Sequence, residues 1–85
     1  MDRKKRIDRL EDRNSELAKE ILLNEVAIYE TEKEIAALSS ELLFLPKILQ
    51  RVESLKFWIE KVKSINEKHK QEIFENDLEI KKLSR

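Results

Sequence analysis

Apolar residues recur every three or four positions along almost the whole chain, and the repeat changes register once, at its single proline. Before Pro46 the series runs Ile7, Leu10, Leu17, Ile21, Ile28, Ile35, Leu38, Leu42 and Leu45, with Asn14, Asn24 and Thr31 at the remaining steps. After it come Ile48, Val52, Leu55, Ile59, Val62, Asn66, His69, Ile73, Asn76, Ile80 and Leu83. Alternating steps of three and four residues keep all of these on one stripe of a helix, which is the seam of a coiled coil. The repeat predicts one helix over about 3–44 and a second over about 46–84.

Pro46 decides how the two halves relate. Proline gives no amide hydrogen to the preceding turn, its ring clashes with the carbonyl four residues back, and it drives Leu45 out of the helical region. It also suits the first turn of a new helix, where its missing amide has no partner to lose. The steps from Leu42 to Leu45 to Ile48 are both of three residues, so the seam is symmetric about residue 45. Folding there brings Ile7 to Leu83, Leu17 to Ile73, Ile28 to Val62 and Leu38 to Val52, pairs that follow from the spacing alone. Asn14 opposite Asn76 and Asn24 opposite Asn66 do not follow from spacing, and buried asparagine pairs are a known register device. These four residues are the expected register-setting positions.

Flanking charges favour the same antiparallel arrangement. Glu11, Glu25 and Glu32 lie on the side that faces Lys56, Lys63 and Lys70. On the other side the expected neighbours are Glu41 with Arg51, Arg13 with Glu79, and Glu20 with Glu72, the last a like-charge pair. Two structures satisfy these pairings: a hairpin turning at about 43–47, and an antiparallel dimer of long helices kinked at the proline. Leu43, Phe44 and Leu45 are poor turn residues, yet the proline favours the hairpin, which at about 1.5 Å per residue would be ~60 Å long. The expected fold is all-α: a single unit over 1–85, a long antiparallel two-helix coiled-coil hairpin turning near Pro46 and self-associating into a helical bundle.

Composition agrees. Charged residues make up 42% of the 85 positions and there is no glycine, a balance of long helices rather than of a compact α/β domain. The 18 basic and 18 acidic residues cancel, so no global field attracts nucleic acid or an anionic membrane. With no cysteine, disulfides and thiolate metal sites are excluded. The longest apolar run, Leu42 to Leu45, is far too short to span a bilayer, so no transmembrane segment is expected and the default is an intracellular, cytoplasmic protein.

Function is less legible. Leu22, Leu23, Tyr29, Leu43, Phe44, Leu45, Phe57 and Trp58 exceed what one seam buries, and they are the expected interface with a second copy or another helical protein. Folding gathers Arg3, Lys4, Lys5, Arg6, Lys81 and Lys82 at one end, a possible anion contact, though a solvated charged end is the preferred reading because no aromatics are interleaved to stack bases. His69 lies in the seam, where burial that disfavoured its charged form would weaken pairing below about pH 6. No catalytic, cofactor-binding or metal-ligating constellation stands out, so an enzyme is not expected. The expectation is a structural or protein-interaction module: a spacer, clamp or oligomerisation element. The alternatives are a small nucleic-acid-associated regulator and a chaperone or secretion-type hairpin holding a client helix.

Overall fold

The computed structural model describes residues 2–41 and 44–85, the side chain of Glu41 excepted. It is an antiparallel helical hairpin, with α1 over Arg3–Glu41 (39 residues) and α2 over Pro46–Leu83 (38 residues). The particle measures 61 × 16 × 14 Å, so the two halves pair within one chain rather than forming one long kinked helix. Among the described residues there is no strand.

Local chemistry accounts for the helix ends. The Asp2 carboxylate accepts the Lys4 amide at 3.0 Å and so caps α1, whose basic first turn offers the dipole nothing favourable. Phe44 lies in a turn, so α1 does not reach the residue 44 expected from the seam. The chain has to leave the helix before Leu45, which is extended at φ −81° and ψ 127°, as a residue before proline must be. Pro46 then occupies the first turn of α2, and the Leu45 carbonyl accepts the Leu49 amide at 2.9 Å. Leu42, an expected seam residue, lies outside the described residues. Lys81 and Lys82 in the last turn of α2 meet the negative end of its dipole.

The seam is the core. Leu10, Leu17, Ile28, Val52, Ile59 and Val62 are buried, Leu17 completely at 0% exposure. Ile28, Ile59 and Val62 form a cluster with Ile35 packed against it. Each fully buried side chain of this kind contributes about 1.5–3 kcal/mol. Every other described seam residue is half-buried except Asn66, which is buried, and Leu45, which is exposed at the tip. Thr31 fits this apolar stripe because its hydroxyl donates to the Ala27 carbonyl of its own helix at 2.8 Å.

Candidate interaction surface

A hairpin one seam wide has two long edges and two outer faces. What each edge carries decides where anything can dock. The seam between them is closed by two asparagine layers. Asn24 Nδ2 donates to Asn66 Oδ1 at 2.8 Å, and Asn66 Nδ2 donates to the Ile21 carbonyl at 3.4 Å. Asn76 Nδ2 donates to Asn14 Oδ1 at 2.9 Å, and Asn14 Nδ2 donates to Asp77 Oδ1 at the same distance. Asn66 is only 4% exposed, and among the described residues no buried side-chain polar atom lacks a partner.

One edge is held by arginines. Arg6 grips both carboxylate oxygens of Glu79 at 3.1 Å, Arg13 Nε donates to Glu72 Oε2 at 2.8 Å, and Arg51 lies 3.5 Å from Glu34. These are not the expected partners. Arg13 pairs with Glu72 rather than Glu79, and Glu20, expected to repel Glu72, instead lies 2.9 Å from His69 Nε2. The expected Glu41–Arg51 contact lies outside the described side chains. A flanking residue on one helix stands between two flanking residues seven apart on the other, and a long side chain reaches either. The diagonal made here joins opposite charges at every ion pair and leaves Glu20 free for His69. The Arg13 guanidinium, by hydrogen bond first and by charge second, holds the Glu72 carboxyl below its usual value, and Arg13 is raised in return. His69 is half-buried in the seam, with the Glu20 carboxylate as its neighbour.

The opposite edge carries lysines. Glu25 and Lys63 line one shallow groove and Glu32 and Lys56 another, over Ile28 and Asn66 and over Ile35 and Ile59. The expected pairing of Glu11, Glu25 and Glu32 with Lys56, Lys63 and Lys70 across this edge is absent among the described residues. Lys63 and Lys70 turn to Glu60 and Glu67 of their own helix, at 4.0 and 3.4 Å. A local partner three residues away costs less side-chain entropy than one across the seam.

The expected interface residues are exposed but fall in several places. Leu22 and Tyr29 share the outer face of α1 on the lysine side, Phe57 is on the outer face of α2, Leu23 adjoins the arginine edge and Trp58 lies on it. Phe44, 78% exposed, and Leu45 form the tip; Leu43 lies outside the described residues. Val26, Leu49, Ile65, Phe74 and Leu78 are also exposed. Val26 completes a line with Leu22 and Tyr29 at helical spacing, a signal present in the sequence, as is the four-residue step from Phe74 to Leu78. Lys33 lies 5.1 Å from the Tyr29 ring centroid and Lys61 5.5 Å from that of Phe57, partly covering those rings.

At the terminal end Arg6 is engaged by Glu79, and Arg3 Nη1 donates to the Arg85 carbonyl at 3.3 Å. Lys4, Lys5, Lys81 and Lys82 are exposed beside them. Among the described residues no group of three or more His, Cys, Asp or Glu could hold a metal ion, and no helix is long and apolar enough to cross a membrane. No family model matches the chain, and no curated protein or solved structure matches it either.

Proposed function

We propose that the chain is a coiled-coil interaction module, acting as a spacer, clamp or oligomerisation element through the apolar middle of the hairpin. The observation that carries this reading is the set of large apolar side chains left in solvent around residues 22–29 and 57–65, Leu23 at 68% and Tyr29 at 60% among them. Patches of that kind favour contact with another apolar surface. A client-binding hairpin using Leu22, Tyr29, Phe57 and Trp58 together is less well supported, because those four do not share a face. A nucleic-acid role at the terminal end is also less well supported, since Arg6 and Arg3 are already engaged.

The test is site-specific photo-crosslinking of the full chain in its native cells, with the reactive residue at Tyr29, Trp58 or the charged position Lys82. Polypeptide adducts at Tyr29 or Trp58 and none at Lys82 are expected. Adducts to nucleic acid at Lys82 alone would overturn the reading.

A further inference from the structure

The tip differs in composition from the rest of the chain. The 18 residues from Ile35 to Val52 hold three charged side chains, Glu41, Lys47 and Arg51, in a chain where 42% of positions are charged. Arg51 reaches back along the hairpin to Glu34, at 3.5 Å, and Lys47 stands exposed in the first turn of α2. Phe44, Leu45 and Leu49 are exposed with it, and Phe44 is the most exposed large apolar residue described. No side chain caps α2, and its first turn holds no acidic residue. Among the described residues the tip thus presents apolar surface and positive charge.

Where this surface sits narrows what it can meet. It closes the end of a particle 61 Å long and only 16 × 14 Å across. An end of that size falls far below the roughly 800 Å² that each partner gives to a stable protein interface, so a folded protein or a second copy meeting it end-on buries too little. A bilayer sets no such threshold. Apolar side chains enter its headgroup region one by one, each contributing in proportion to the area it buries, and a lysine beside them is drawn to anionic lipid.

We propose that the tip inserts into the headgroup region of an anionic lipid bilayer, with Phe44, Leu45 and Leu49 entering and Lys47 meeting the lipid phosphates. The hairpin then stands away from the surface. Insertion of this kind is shallow and reversible, and it needs no helix able to cross the membrane. The inference goes beyond the interaction-module reading, which concerns the middle of the hairpin and leaves the tip without a role.

Tryptophan fluorescence of the full chain with lipid vesicles tests this, with helicity followed by circular dichroism. Trp58 is the only tryptophan, and at about 1.5 Å per residue it lies ~18 Å along α2 from Pro46. Trp58→Phe with Phe44→Trp therefore moves the reporter to the tip. With vesicles of phosphatidylcholine and phosphatidylserine, the tip reporter is expected to shift to shorter wavelength and to be quenched by lipids brominated near the headgroup. Native Trp58 is expected to do neither. Leu45→Ser with Leu49→Ser is expected to lower partitioning into these vesicles about tenfold with helicity unchanged, and Lys47→Gln to remove the preference over pure phosphatidylcholine. A tip reporter unmoved by vesicles overturns the proposal, as does equal partitioning of the wild-type chain into both kinds of vesicle. A shift of native Trp58 on vesicles also overturns it, because the hairpin would then lie on its side. So does a shift of the tip reporter that grows with protein concentration without lipid, which would place a second copy on the tip. Adducts at Tyr29 and Trp58 are read separately, so this inference and the module reading fail independently.

Discussion

The two edges of the hairpin carry similar numbers of charges and use them differently. Arg6, Arg13 and Arg51 each reach across to a glutamate of the other helix, whereas Lys63 and Lys70 pair with glutamates three residues away in their own. Opposite charge at facing positions is therefore not enough to join two helices. The guanidinium has a planar fork that meets a carboxylate through two hydrogen bonds, as Arg6 and Arg13 do, while an ammonium gains little by stretching past a nearer partner. Cross-linking by charge depends on which cation is present as well as on its sign.

The comparison breaks if either edge, rather than the seam beneath both, dominates stability. Ile59→Ala is expected to have the largest effect, about 2–5 kcal/mol, because Ile59 is buried in the cluster with Ile28 and Val62. Thermal unfolding at fixed concentration would measure it, and an Arg13 variant costing as much would refute the ranking. Asn66→Ala comes next, at about 1–3 kcal/mol, since it strips Asn24 of its acceptor within the seam. A paramagnetic label on α1 would show at the same time whether the register of α2 slips, and an unmoved register would sink the role of this layer as a register device.

Arg13→Lys should have the smallest effect, and it sharpens the difference between the edges. Arg13 holds the Glu72 carboxyl below the ordinary 4.5. The Glu72 contribution is thus present above pH 4.5 and is lost as the pH falls through the lower folded value. With lysine at position 13 the fork is gone, so the Glu72 carboxyl should move back toward the ordinary value in an NMR titration. The acid-dependent part of the melting temperature should shrink with it. Both groups are half-exposed, so added salt should diminish the effect. A Glu72 titration unchanged by the substitution would mean that cation type is irrelevant at this edge.

Much of the fold was legible because a seam is a property of spacing. Ile7 to Leu38 and Ile48 to Leu83 announce two helices, and Pro46 announces the break between them. The end of α1 was less legible, because Leu42 to Leu45 continue the apolar pattern while the proline forbids Leu45 from following it. The choice of ion-pair diagonal was hidden for a different reason. Arg13 has glutamates on both sides at the facing positions, and spacing cannot say which one a flexible side chain takes. Asp77 was missed beside Asn14 because it lies just outside the seam. Ala27, Trp58 and Ile65 share one flank of the seam by spacing alone, whereas the ion pairs that bound them on either side do not follow from spacing.

Arg3 and Arg85 touch at one end of a particle 61 Å long, and the tip lies at the other. Tension applied between the two termini therefore peels the helices apart layer by layer, beginning at Ile7 and Leu83. The Asn14–Asn76 layer is reached before the Ile28–Val62 cluster. Tension between the termini and the tip instead runs along both helices at once and does not draw the layers apart. The same hairpin is a zipper when pulled from one end and a strut when pulled from both.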